Sequence, residues 1–406
     1  MKASIYNGYV VKDDKTIVYN TRYNNAIAVK NTDVDKIKNE LLSNDNTELS
    51  ELGFIVGNDE NEISEAKCNY NIMKYTGSDE LNIMIIMTYK CNCNCTYCFE
   101  NITGTSCIEN EKIDSVIDYL IRVYRKNNSK IMKINFFGGE PMLRKKDMIY
   151  ISDRLKTEKI SFIVNVITNG TLLNYETVEE LVAADIRTFQ ITLDGPKAIH
   201  DIRRPMKNGE SAWGKICDAL AILATYDTNV TIRINIDSGN VEYLEEIIDA
   251  IPEDIKKKNS TTIYIAPVVG CKIENMKKTL VDRTNNIKTA WEMIKEKNLP
   301  ISISPPTYAP CPYSSLDSAF YIDLCGNVYT CGGFVGEVDK IERNMDDKTD
   351  RFWGRVESQP KEKCFGCQFF YVCMGGCVYE TEKFGGHCQY TYLKEIYDEY
   401  YGNYAE

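Results

Sequence analysis

Three cysteines crowded onto one loop limit what this 406-residue chain can become more than any other feature. Cys91, Cys95 and Cys98 form a C-x-x-x-C-x-x-C pattern, and Cys93 adds a further thiol inside it. The apolar run from Leu81 to Thr88 comes just before and reads as a buried strand, so the thiols sit where a strand end opens into a loop. Three thiolates on a short loop hold three irons of a cubane cluster and leave the fourth iron to a ligand that is not protein. A structural zinc site wants four protein ligands in paired C-x-x-C knuckles, and this loop has no such pairing. A disulfide reading is weak, because Met1 to Gly8 lacks the apolar core of an export signal.

The loop resembles the signature of the radical S-adenosylmethionine (SAM) enzymes. The resemblance implies that the open iron of a [4Fe–4S] cluster chelates the amino and carboxylate groups of SAM. One electron from that cluster then releases a 5′-deoxyadenosyl radical. It also implies that Tyr97, the aromatic residue before the third thiol, lies near the adenine. Cys93 has no place in the pattern and reads as a spare thiol or a packing residue, with ligand substitution the lesser alternative.

The length suits one large or two to three modest domains, and a hydrophobic share of 43% is ordinary for a globular protein. The net charge is -11 and no Lys/Arg-rich run stands out, which argues against a nucleic-acid partner. No apolar run reaches membrane-spanning length. Sixteen cysteines without an export signal point to metal binding in a reducing cytoplasm. Only His200 and His387 are present, so a histidine-ligated catalytic metal is not expected.

Residues 1–75 read as a small α+β unit. Tyr9 to Val11 and Thr16 to Tyr19 flank the turn Asp13-Asp14-Lys15 as a hairpin. Val34 to Leu42 has helical spacing, and Leu49 to Val56 reads as a short helix turning at Gly53 into a strand. This order resembles the leader-peptide recognition domains, winged-helix-like, of peptide-modifying enzymes; the alternative is an extension packed on the next domain. Asp59 to Glu65 reads as an exposed acidic stretch. From Leu81 strands and helices alternate. The strands are 81–88, 130–137, 161–168, 188–193, 230–236 and 262–266, and helices are expected near 113–124, 147–155, 175–184, 211–226 and 241–251. Six such units make an α/β fold with a parallel sheet, a partial (β/α)6 TIM-like barrel over residues 76–300, with its site at the carboxyl ends of the strands.

The remaining motifs of the barrel fall at those ends. Gly138-Gly139-Glu140-Pro141 follows the second strand; two glycines let the backbone approach a ligand closely, and Glu140 accepts hydrogen bonds from an ammonium. Thr168-Asn169-Gly170-Thr171 ends the third strand. Thr192-Leu193-Asp194-Gly195-Pro196 ends the fourth and runs on to His200-Asp201 and Arg203-Arg204. These resemble the SAM-contacting stretches of the same family. The resemblance implies that Gly138, Gly139, Glu140 and Pro141 hold the SAM amino group, and that Thr168, Asn169, Thr192, Asp194 and Arg204 contact its ribose and carboxylate. Arg204 matches the carboxylate contact better than Arg203, and His200 reads as a hydrogen-bonding neighbour rather than a base. Arg233, Asn235 and Asp237 share one face of the fifth strand and join the site if that face points inward. No general base is assigned.

A second cysteine field fills residues 301–406. Its spacing resembles the SPASM domain, which carries two auxiliary [4Fe–4S] clusters, making three clusters in all. The resemblance assigns Cys364, Cys367, Cys373 and Cys388 to one auxiliary cluster and Cys311, Cys331 and Cys377 to the other. The stretch Ile301 to Pro310 lacks the cysteine that many family members supply as a fourth ligand. Cys325 or Cys271 fills that position, or it stays open for a substrate cysteine. Asp323 to Tyr329 reads as a hairpin turning at Gly326, Tyr390 to Glu406 as a capping helix, and Cys68, Cys107 and Cys217 as small packing groups. The resemblance implies a cytoplasmic, anaerobic maturase of a ribosomally made peptide, with flavodoxin or ferredoxin as electron donor. Thioether crosslinking comes first. Carbon–carbon or other side-chain crosslinking, and sulfatase-maturase-type oxidation of Cys or Ser, are the alternatives.

Overall fold

The computed structural model describes residues 1–38, 47–75, 79–98, 112–268, 276–305, 307, 311, 318–347, 360–385 and 388–404. Cys107, Cys271 and His387 lie outside the described residues.

The chain begins with β1 (Lys2–Ala3) and the antiparallel meander β2 (Asn7–Lys12), β3 (Lys15–Asn20) and β4 (Asn25–Lys30); β5 (Ile55–Val56) pairs back onto β1. Lys12 pairs with Lys15, so Asp13 and Asp14 alone make the first turn, with Asp13 at φ 54°. The expected hairpin is therefore two strands of a three-stranded sheet. β4 escapes a reading from pattern because the four residues of the turn before it, Thr21 to Asn24, also suit a loop. Helices Asn31–Lys38 and Thr47–Glu51 cover this sheet, with Val18, Ile37, Phe54 and Ile55 at the centre.

The stretch from Asp59 to Glu65 is not uniformly exposed. It opens the helix Glu62–Tyr75, and Glu62 is buried, accepting from Ser4 Oγ at 2.6 Å and Ile5 N at 3.0 Å. A buried carboxylate needs such donors. Cys68 is exposed rather than packed, because this helix buries Ala66 and Tyr70, four residues apart on another face. The N-terminal unit docks on the C-terminal region: Tyr6 donates to Phe365 O at 2.8 Å, and Tyr19 stacks on Tyr401 with ring centres 4.5 Å apart.

All six expected barrel strands are present: β6 (Glu80–Thr88), β7 (Ile131–Gly138), β8 (Phe162–Thr168), β9 (Thr188–Thr192), β10 (Asn229–Ile236) and β11 (Thr261–Pro267). They are parallel and lie in sequence order, as right-handed crossovers demand. The sheet does not stop at β6. β12 (Ala319–Asp323) adds parallel to it, with Ala319 opposite Asn82 and Asp323 opposite Ile86, and β13 (Asn327–Tyr329) and β14 (Arg343–Asn344) extend the sheet to nine strands. Gly326 turns the β12–β13 hairpin at φ 82°.

The two faces of the barrel sheet differ sharply. Leu81, Ile83 and Ile85 of β6 and Ile232 and Ile234 of β10 are fully buried under the crossover helices. Each such side chain contributes roughly 1.5–3 kcal/mol on burial. The opposite, concave face carries half-buried polar groups, among them Asn135, Asn165 and Gln190. Past β11 the helix Met276–Glu296 meets the C-terminal region through a buried ion pair, Arg283 to Glu380, at 2.7 Å. The helix Tyr390–Asn403 closes the chain against β2 and β3, where the capping helix was expected. Among the described residues no helix is long and apolar enough to cross a membrane.

Candidate functional site

The cysteine loop leaves β6 and is held as an irregular strand. Asn94 N donates to Pro205 O at 2.8 Å, Thr96 N to Arg203 O at 2.9 Å, and Lys207 N to Asn92 O at 2.9 Å, with Cys93 bridged to Met206 between them. The segment 203–207 is thus a strap laid antiparallel along the thiols. From the other side Asn169 donates to Asn92 Oδ1 at 2.8 Å and to the sulfurs of Cys93 and Cys91 at 3.5 and 3.9 Å. Thr171 fixes the Asn169 amide by donating to its Oδ1 at 2.7 Å. Hydrogen bonds from the Cys93 side chain and backbone hold the Cys91 thiol low, at about 6. A thiolate is the form that binds iron.

The two glycines of Gly138-Gly139 make a close backbone contact that their sequence did not suggest. A Cβ on Gly139 would stand 2.4 Å from Lys90 O, and one on Gly138 2.3 Å from Thr88 O. The close approach is to the backbone that delivers the cysteines, through Gly139 N to Thr88 O at 2.9 Å and Glu140 N to Lys90 O at 3.0 Å. Backbone oxygens cannot swing aside, so Gly139→Ala is expected to displace the loop. The variant should lose most of the iron held by Cys91, Cys95 and Cys98 while its circular dichroism spectrum stays that of the parent; full iron retention would refute this placement.

Glu140 is fully buried and accepts from Met142 N at 3.0 Å, Thr168 Oγ1 at 2.6 Å and Asn169 N at 2.8 Å. Burial pushes its carboxyl up to about 7, against the pull of those three donors. A carboxylate has about four lone-pair sites, so one acceptor position remains for an ammonium.

Asp194 is the centre of a second group. It is fully buried, and Tyr97 donates to its Oδ2. Asn235 N donates to its Oδ1 at 2.9 Å, and Arg204 forms an ion pair with it at 3.6 Å. Arg204 Nη1 also donates to the Tyr97 oxygen at 2.6 Å, and its buried Nε has no partner among the described residues, which suits an incoming carboxylate. His200 Nδ1 accepts from Asp194 N at 3.2 Å; burial, with the charge of Arg204 adding, holds its imidazole down at about 3, so it stays neutral. Arg203 turns away from this group to a bidentate pair with Asp237, at 2.8 and 3.0 Å, beneath the Tyr97 ring. Thr192 is buried at the end of β9, opposite Arg233.

Sequence reasoning missed Asn92 and Asn240, the latter donating to Asp194 O at 2.8 Å. Asp237-x-x-Asn240 carries a local signal, since Asn240 Oδ1 accepts from Asp237 N as a turn-forming asparagine does. Another link is Asp323, which accepts from Cys325 N and Asn327 N, both at 2.9 Å, and from Tyr89 at 2.9 Å, two residues before Cys91. The C-terminal hairpin is thereby tied to the entrance of the cysteine loop.

Burial raises Cys373 to about 11, and the neighbouring Cys367, Cys364 and Cys388 add to the rise. Burial likewise raises Cys377, with Cys311 adding. Cys331 follows β13 and is half-buried. Among the described residues no three His, Cys, Asp or Glu groups converge as a single metal ion requires. Cys325 lies at the β12–β13 turn, where its backbone N–H donates to Asp323 Oδ1 at 2.9 Å.

Comparison with known proteins follows the same division. Residues 85–251 match the radical SAM superfamily. An uncharacterised protein of Methanocaldococcus jannaschii is 31% identical over 171 residues, 41% of this chain, and the match spans just over half, 57%, of that relative. The radical SAM cyclopropyl synthase TigE of Paramaledivibacter caminithermalis is 22% identical over 91% of this chain and 81% of its own. A cysteine-type anaerobic sulfatase-maturating enzyme of Clostridium perfringens is 21% identical over 71% and 85%. In fold, the chain resembles anSMEcpe with bound AdoMet, with a TM-score of 0.60 and 19% identity over 79% of this chain and 96% of that one. It also resembles Streptococcus suis SuiB bound to precursor peptide SuiA, with a TM-score of 0.54 and 14% identity over 95% and 97%. The family match runs from β6 through β10, the strands that deliver the three thiols, Glu140 and Asp194, and residues 85–251 form a radical SAM domain.

Proposed function

We propose that the chain matures a ribosomally made peptide by hydrogen abstraction, forming a thioether crosslink. The observation that carries the peptide reading is the set of half-buried amides on the concave face of the barrel beneath the Tyr97–Asp194 group, Asn135, Asn165 and Gln190, donors and acceptors that a peptide backbone can meet. The relatives agree in kind: TigE and the sulfatase-maturating enzyme act by name as a synthase and a maturase, and SuiB was solved with a precursor peptide.

In this reading Cys91, Cys95 and Cys98 hold the SAM cluster. Glu140 takes the SAM ammonium, Arg204 and Thr192 its carboxylate, and Tyr97 borders its adenine. Bound SAM and its cluster supply the 5′-deoxyadenosyl radical that removes a hydrogen atom from a peptide carbon. The buried Asp194 holds Arg204 and Tyr97 in position, and the strap 203–207 keeps the cysteine loop rigid. Cys364, Cys367, Cys373 and Cys388 would hold one auxiliary cluster. Cys311, Cys331 and Cys377 would hold another, its fourth position left for a peptide cysteine.

The test is mass spectrometry of precursor peptide after reaction with the reduced, cluster-loaded enzyme. A thioether removes two hydrogen atoms from the peptide and leaves the cysteine resistant to alkylation. The same mass loss with an alkylatable cysteine would favour a carbon–carbon crosslink. Loss of the sulfur atom would favour sulfatase-maturase-type oxidation, the second reading, which the similarity to the Clostridium perfringens enzyme supports. Residues 1–75 are proposed to bind the leader of the precursor, since β4 lies at the edge of its sheet and is open to an added strand. Removing them is expected to weaken precursor affinity by tenfold or more by fluorescence anisotropy; unchanged affinity would leave them a packing role only.

A further inference from the structure

The concave face of the barrel breaks the usual rule for such interiors. Small barrels of this type fill the interior with branched aliphatic side chains. Here Asn165 donates to Asn135 at 2.9 Å and Tyr264 donates to Gln190 at 3.3 Å, a layer of neutral amides and hydroxyls. One cation is set into this layer. Arg233 lies opposite Thr192 on β9 and Tyr264 on β11, its Nε donates to Asn235 Oδ1 at 2.8 Å, and its guanidinium carbon stands 5.9 Å from the centre of the Tyr264 ring.

The other cations nearby have counter-charges. Lys133 pairs with Glu80 at 2.6 Å, Arg203 with Asp237 at 2.8 Å and Arg204 with Asp194 at 3.6 Å. Arg233 is half-buried and makes no ion pair among the described residues. A guanidinium withdrawn from water costs free energy unless an anion joins it. The bond from its Nε and the adjacent ring fix the fork, and the terminal amino groups are left to grip a carboxylate in two places.

Two carboxylates can reach the barrel, that of SAM and one on the substrate. Position along β10 separates them. Asn235 meets Tyr97 and Asp194, at the level of the cysteine loop. Arg233 stands two residues earlier, level with Thr192 on β9, and Arg204 with its unpartnered buried Nε already suits the SAM carboxylate. We propose that Arg233 is a substrate subsite that binds the side-chain carboxylate of an Asp or Glu in the peptide, placed beside the carbon from which hydrogen is taken. The proposal rests on the peptide-maturase reading above and specifies which peptides that site accepts.

The experiment uses cluster-loaded, SAM-bound enzyme and three probes: N-acetyl-Gly-Glu-Gly amide, N-acetyl-Gly-Gln-Gly amide and glutarate. Binding is followed by saturation-transfer NMR at millimolar concentration, and SAM affinity by calorimetry. The glutamate peptide is expected to bind roughly tenfold tighter than the glutamine peptide. Arg233→Met should erase that preference, Arg233→Lys should keep part of it, and SAM affinity should stay the same in both. Arg233→Lys retains the stem and the charge, so it keeps the test valid if Arg233→Met misfolds. Equal binding of the two peptides to the parent enzyme would overturn the acidic subsite while leaving the peptide reading standing. Glutarate binding as tightly as the glutamate peptide, and lost in Arg233→Met, would uphold the carboxylate subsite and count against a peptide substrate. A tenfold loss of SAM affinity in both variants would assign Arg233 to the SAM carboxylate and overturn the proposal. Failure of all three probes to bind would overturn both readings.

Discussion

Replacing Cys91, Cys95 and Cys98 together by alanine is expected to reduce SAM cleavage to background while the rest of the iron stays bound. Among the described residues of the loop that leaves β6, the three thiols are joined only by the buried Cys93, bridged to Met206. The C-terminal thiols Cys364, Cys367, Cys373 and Cys388 sense one another rather than this loop. The triple variant should therefore lose about four irons, those of one cubane, and keep the absorbance of the others. The readouts are 5′-deoxyadenosine by chromatography and iron per chain by chelator assay, on protein prepared without oxygen. Undiminished 5′-deoxyadenosine would remove the assignment of this loop. Loss of all iron would show instead that the clusters form cooperatively.

The second large effect is expected at Asp194. Its carboxylate is fully buried, faces the Arg204 guanidinium at 3.6 Å and accepts from Tyr97 and from Asn235 N. Asp194→Ala leaves the Arg204 charge buried with no counter-ion, a change that costs about 3–5 kcal/mol. The fall should appear in denaturant melts as a lower midpoint with an unchanged slope. Removing the cation as well tests the cause. The double variant Asp194→Ala/Arg204→Met should be more stable than the sum of the single variants by roughly 1–3 kcal/mol. Strict additivity would mean that the two groups are not coupled. SAM affinity should fall in Asp194→Ala beyond what lost stability explains, because Tyr97 and Arg204 both lose the acceptor that aims them.

Much of this arrangement could be read from residue order, and the parts that could not share a physical cause. The six barrel strands announce themselves because each is a short apolar run between polar helices, and parallel crossovers leave few ways to connect them. The three-thiol loop and the Gly138-Gly139-Glu140-Pro141 turn are local patterns, so their positions followed from their spacing. The roles of the glycines did not. That Gly139 meets Lys90 O depends on how β6 and β7 align. Glu62 looked like one more exposed acid because its donors, Ser4 and Ile5, lie far away in the chain. Arg203 and Arg204 are neighbours of the same type, yet one serves Asp237 and the other Asp194, a division that the turn after the helix Lys197–Arg203 decides. The addition of β12 to β6 was the largest feature hidden from pattern, since nothing local marks which edge a distant strand will choose.

That addition has a consequence for how the protein is made. β6 emerges early from the ribosome and carries the cysteine loop, but one of its two sheet partners begins only at Ala319. At synthesis rates of roughly 5–20 residues per second, the edge of β6 stays unpaired for about 10–50 s. An unpaired edge on an apolar strand invites pairing with other chains. The same interval leaves the thiols of the loop within reach of whatever delivers iron and sulfide, before Asp323 and Tyr89 tie the hairpin down beside them. A nascent chain stopped short of Ala319 keeps that edge open however well the rest of its barrel has formed.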